Sequence, residues 1–132
     1  MGIIAGMTNS FKNEILSGTH NLSSNTLKIA LYLDTSDIGP STTTYTTSGE
    51  TSGTNYTAGG NTLSGVSIEE DGGTSYVDFS DSVWTSASFT TAGALIYCQQ
   101  KSTAHHVGPS VSKSGLFNCI FRPASCGLIT SP

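Results

Sequence analysis

Seven residues, Leu27-Lys28-Ile29-Ala30-Leu31-Tyr32-Leu33, constrain the fold of this chain more than any other stretch. The odd positions are large and apolar, while the even ones are Lys28, Ala30 and Tyr32, which is the period-two signature of a half-buried strand. Ser23, Ser24 and Asn25 punctuate the chain before it, and the stretch from Asp34 to Pro40 does so after it. The run is therefore too short to span a membrane and reads as a central strand.

The flanking sequence has to supply what such a strand packs against. Residues 8–17 carry the signals of one short helix: Thr8 and Asn9 as N-cap oxygens, Phe11 and Ile15 one turn apart, and Gly18 at the C-cap position. Phe11, Ile15 and Leu16 are expected to face the core, because a helix this short holds only when it packs. Residues 1–7 then form an apolar arm, and residues 8–132 a single β-rich domain. At 132 residues the chain is long enough to bury roughly two thirds of its unfolded surface without staples.

Downstream, ten of the fourteen positions from Ser41 to Thr54 are Ser or Thr. Tyr45, Tyr56 and the β-favourable threonines make an ordered segment the better expectation than a flexible linker. Strands are expected at 62–68, 74–80, 83–89, 93–97 and 116–121, with Asp71-Gly72 as a hairpin turn and a last short strand at 127–129. Phe11, Ile15, Leu31, Val77, Phe79, Trp84, Leu95 and Ile96 are expected in one core. The resulting fold class is mainly β, an antiparallel β-sandwich with one short N-terminal helix and extended termini.

Composition excludes several functions. Charged residues make up 11% of the chain against a usual ~25%, and the balance is Ser, Thr, Gly and Asn. Lys12, Lys28, Lys101, Lys113 and Arg122 stand singly in a chain of net charge -4, so no phosphate-tracking patch for nucleic acid exists. The opening Met1–Met7 has no basic region and no long apolar run, giving neither a signal peptide nor an anchor. The Asn21-Leu22-Ser23 and Asn55-Tyr56-Thr57 triplets are the chance yield of such a composition.

No nucleophile stands beside a base in a recognisable local signature, so the chain reads as a non-enzyme without a cofactor. His20 is expected to be a cap or surface residue. Glu69, Glu70 and Asp71 read as a solvated hairpin turn, and Asp78 and Asp81 as turn or edge groups. Cys98, His105, His106, Cys119 and Cys126 are the sole metal-like grouping. Six residues separate Cys98 from His105 and Cys119 from Cys126, too many for a structural zinc motif, so no metal is expected. Free thiols are the reading for an odd set of three cysteines, a Cys119–Cys126 bridge being unsupported.

The segments Ser10-Phe11-Lys12-Asn13-Glu14-Ile15-Leu16-Ser17-Gly18-Thr19-His20 and Thr26-Leu27-Lys28-Ile29-Ala30-Leu31-Tyr32 resemble the start of a family of small virion proteins of tailed bacteriophages. Tyr45, Glu50, Gly53 and Tyr56-Thr57-Ala58-Gly59-Gly60 are similar to that family's middle segment. Asp78-Phe79-Ser80-Asp81, Trp84 and Gly93-Ala94-Leu95-Ile96-Tyr97 are similar to its later strands. The resemblance covers about residues 8–97. From about residue 98 the chain diverges, lacking the family's Val-rich strand and Asp-Phe-Gly turn, although Gly115-Leu116-Phe117 to Pro123 is similar to its final strand.

The resemblance implies a structural component of the virion, assembled in the bacterial cytoplasm, with no catalytic residue. A capsid cement or decoration protein stabilising the head shell is the first expectation; a tail or fibre-associated protein is the second. The partners implied are further copies of the chain, a trimer being one arrangement, and the major capsid protein or tail proteins. Ile3, Ile4 and Met7 on the apolar arm, with Tyr45 and Tyr56, are the expected partner contacts. A carbohydrate-binding module is the rival from another class, and it would use Tyr45, Tyr56 and Asn55.

Overall fold

The computed structural model describes residue 3, residues 6–99 and residues 116–119. Its elements are β1 (Gly6–Met7), α1 (Asn9–Leu16), β2 (Thr26–Tyr32), β3 (Asn61–Thr62), β4 (Ser67–Asp71), β5 (Thr74–Asp78), β6 (Gly93–Gln99) and β7 (Leu116–Cys119). They make two separate antiparallel sheets, one of five strands in the order β1-β7-β6-β2-β3 and one of two, β4-β5. The fold of the described residues is thus mainly β with one short helix. Among the described residues no helix is long and apolar enough to cross a membrane.

The predicted central strand is central, but it is buried on both faces. β2 pairs with β6 over seven positions, from Thr26 opposite Gln99 to Tyr32 opposite Gly93. That register places Leu27, Ile29 and Leu31 beside Cys98, Ile96 and Ala94 on one face, in a cluster with Leu63, Trp84 and Ala87. The opposite face carries Ala30, Tyr32, Leu95 and Tyr97, closed by Ile38. Loops cover both faces, so the expected single core is two cores sharing one sheet. Each fully buried aliphatic side chain there is worth about 1.5–3 kcal/mol.

α1 is capped as its sequence asks. The Thr8 hydroxyl accepts from the Phe11 N–H, and at the other end Gly18 donates to Ile15 O while Thr19 donates to Glu14 O, the paired bonds of a Schellman motif. Its packing corrects the expectation, for Phe11 alone is buried and stacks on His20, while Ile15 and Leu16 are exposed.

Other expectations shift as well. The expected strand at 62–68 is divided between β3 and β4. The β4–β5 hairpin turns at Gly72-Gly73, one residue later than expected, with φ +56° and +80° in the both-positive pattern of a type I′ turn. Val77 is half-buried and belongs to neither core, because this hairpin stands apart from the main sheet, while Phe79, just past β5, is half-buried against the first core. Residues 83–89 form turns with one isolated bridge, Thr54 to Ser88, where a strand was expected. The short strand expected at 127–129 lies outside the described residues.

The N-terminal arm is engaged within its own domain. β1 pairs with β7, and Ile3 is half-buried against the Tyr32 and Leu95 face. A Cβ added at Gly93 would lie 2.6 Å from Ile3 Cδ1, so the arm's side chain fills the space that Gly93 leaves opposite Tyr32.

Candidate functional site

The segment between β2 and β3 doubles back on β2. Thr51 N–H donates to Leu31 O, Leu33 N–H donates to Gly49 O, and Tyr32 and Glu50 form an antiparallel bridge. Glu50 is thereby held beside the sheet, half-buried, with tyrosines before and after it in the chain.

Its carboxylate accepts three hydrogen bonds. Tyr56 Oη donates to Oε1 at 2.7 Å, Gly59 N–H to the same oxygen at 2.7 Å, and Tyr45 Oη to Oε2 at 2.5 Å. Tyr56 Oη in turn accepts from Leu31 N–H at 2.9 Å. Tyr97 Oη donates to Gly59 O at 2.8 Å and Tyr32 Oη to Thr46 O at 2.6 Å. The Tyr45 and Tyr97 rings stack at 4.8 Å, and the Tyr56 ring meets Phe89 edge-on at 5.4 Å.

Burial first, and the Glu50 charge after it, push the Tyr97 hydroxyl up to about 12. Burial likewise raises Tyr32, Tyr45 and Tyr56 well above the ordinary phenol range. Protonated phenols around a carboxylate filled with donors supply no base and no nucleophile. The cluster is a clamp that pins the Ser/Thr-rich segment to the sheet. Tyr45 and Tyr56 are half-buried and turned inward for this purpose, while Asn55 ties its amide to the Thr85 and Ser86 carbonyls at 3.2 and 3.0 Å. Nothing in the sequence marked Glu50 as their common acceptor, although an isolated acid among hydroxyl residues and flanked by tyrosines was a signal.

His20 is buried, contrary to expectation. Its Nε2 lies 2.5 Å from Glu14 Oε2, and its ring stacks on Phe11 at 5.6 Å. Cys98 is fully buried in the first core, and burial, then the Glu14 charge, raise its thiol pKa, which leaves it a poor nucleophile. Among the described residues no group of three or more His, Cys, Asp or Glu side chains is placed to hold a metal ion. His105, His106, Cys126 and the side chain of Cys119 lie outside the described residues. Glu69, Glu70, Asp71, Asp78 and Asp81 are all exposed.

An apolar surface lies between α1 and the β4–β5 hairpin. Met7, Phe11, Ile15, Leu22, Ile68 and Tyr76 line an open recess of about 470 Å³ there. Ile68 is 58% exposed, Met7 43% and Tyr76 42%. Of the arm residues expected to meet a partner, Met7 lies on this seam, Ile3 packs inward, and Ile4 falls outside the described residues. Among the described residues the hairpin is two strands without a third, an arrangement with little stability of its own in water. Comparison with protein-family models, with curated proteins and with solved structures finds no match to this chain.

Proposed function

We propose that this protein is a non-enzymatic structural component of a tailed-bacteriophage virion, and that it acts as a cement or decoration protein on the head shell. The observation that carries the reading is the apolar seam between α1 and β4–β5. Isolated apolar residues on a surface need no explanation, but a contiguous recess walled by exposed Ile68, Tyr76, Met7 and Ile15 marks an interaction surface. The partners are neighbouring copies of the chain and the major capsid protein, met after folding in the host cytoplasm.

Two further features support an assembly role. Glu50 and its tyrosines are consumed in holding a loop, which leaves no reactive group in that cluster. The resemblance of residues 8–97 to small phage virion proteins supplies the setting. In its finer form the fold reading is a β-sandwich, the β4–β5 hairpin being the start of a second layer that strands from a neighbour complete. A tail or fibre-associated subunit would use the same seam.

Binding to heads assembled without the protein tests this. Purified protein should co-sediment with such heads, and an Ile68→Thr/Tyr76→Thr variant should not. Wild-type protein that stays in the supernatant, or a variant that binds as well as wild type, would overturn the reading.

A further inference from the structure

A second recess lies away from the seam, where β2, β6 and the Glu50 clamp meet, and its lining differs in kind. Lys28 sits on β2 opposite Tyr97 of β6 and Thr62 of β3, and it is half-buried. Its Nζ is 3.4 Å from the position that a Cβ on Gly59 would take. Among the described residues its ammonium has neither a hydrogen bond nor an ion pair. The acid that approaches the same glycine is Glu50, and its two oxygens are already occupied by Tyr45, Tyr56 and the Gly59 N–H. The Lys28 ammonium therefore faces the recess as a cation without a counter-ion among the described residues.

The space in front of it measures about 390 Å³, within the range of small-molecule sites. The stacked Tyr45 and Tyr97 rings form part of the wall, and Thr44 and Gln99 supply neutral hydrogen-bonding groups. Aromatic surface beside hydroxyl and amide groups suits a ligand that is itself part apolar and part hydroxylated. One cation with a carboxylate close behind it suits a ligand with a single negative charge, because the Glu50 charge repels a second one.

We propose that this recess binds a small monocarboxylated ligand with the size and polarity of an acidic sugar, its carboxylate on Lys28 and its ring against Tyr45. The site is independent of the apolar seam and of the shell-binding role. It also differs from a sugar surface built on Tyr45, Tyr56 and Asn55, since Tyr56 faces the core and Asn55 is tied to the 85–86 turn.

Calorimetric titration of the full chain with glucuronate, glucose, acetate and inorganic phosphate tests the proposal. Glucuronate should bind at least tenfold more tightly than each of the others, and Lys28→Met, which keeps an unbranched apolar stem but removes the ammonium, should abolish the preference. In the wild-type protein the Lys28 ε-methylene resonance should shift on addition of glucuronate, a readout that needs no variant to fold. Equal binding of glucose and glucuronate, tighter binding of phosphate, an unchanged preference in Lys28→Met, or an unmoved Lys28 resonance at saturating glucuronate would each overturn it.

Discussion

Tyr56 Oη donates to Glu50 Oε1 at 2.7 Å and accepts from the Leu31 N–H at 2.9 Å, so a single hydroxyl joins an acidic loop residue to the backbone of the central strand. The bonding is complete on both sides. A neutral amide at position 50 would turn an NH₂ donor toward the other donors or leave one of them without an acceptor. Hydrogen bonds to a charged group contribute about 1.5–3 kcal/mol, and an orphaned buried donor costs a similar amount. Glu50→Gln should therefore destabilise the protein by about 2 kcal/mol in urea denaturation, with an unchanged slope. A loss below about 0.5 kcal/mol would show that the clamp is ornamental.

The same tyrosines give the stability a pH dependence of known sign. Burial raises their pKa values above the ordinary 10.0, so in the folded state they hold protons that the unfolded chain releases. Their contribution is full below about pH 10 and is lost as pH rises through about 12, where Tyr97 ionises. Tyrosinate absorbance should rise late and together with the loss of circular dichroism. Titration of all five tyrosines near pH 10 in a still-folded chain would contradict this.

Two glycines with similar backbone angles should respond oppositely to substitution. Gly60 has φ +71°, and a Cβ there would stand 1.8 Å from Ile29 O, inside the central strand. Gly60→Ala should cost about 3 kcal/mol or more, since backbone must move. Gly72, at φ +56° in the hairpin turn, meets nothing within 4 Å, and Gly72→Asn should change stability by less than about 1 kcal/mol. Thermal melts of the two variants decide the matter.

The core of the fold was legible where local pattern and tertiary role coincide. The alternation of Leu27, Ile29, Leu31 and Leu33 gave the central strand, Thr8 and Gly18 bounded the helix, and the hairpin was placed correctly although its turn, read as Asp71-Gly72, falls one residue later at Gly72-Gly73. The second buried face was not legible. Ala30 is small, Tyr32 carries a hydroxyl, and Lys28 precedes them on the same face, so nothing in the alternation reveals that Ile38, Leu95, Tyr97 and Ile3 close over that side. Val83 to Phe89 has strand-like composition, but Ser86 takes φ +50° and the Asn55 amide caps the turn, a tertiary constraint invisible in propensity. The Glu50 clamp joins neighbours five, six and nine residues apart through a fold-back onto β2, and only that fold-back makes them converge.

The seam residues contribute little to the fold itself. Ile68 and Tyr76 are largely solvent-exposed, and Thr keeps the strand preference of both positions. Ile68→Thr/Tyr76→Thr should alter the unfolding free energy by less than about 1 kcal/mol, so a loss of head binding in this variant would report on the surface and not on folding. A large destabilisation would place these side chains in the core after all.

The central claim is that the protein reinforces a shell, and the number of copies in each particle tests it most directly. Quantitative mass spectrometry of purified virions, referenced to the major capsid protein, should find on the order of hundreds of copies, because decoration follows the symmetry of the head. A count of about a dozen or fewer would contradict the cement reading and move the protein to the tail, and its absence from the particle would contradict the structural role altogether.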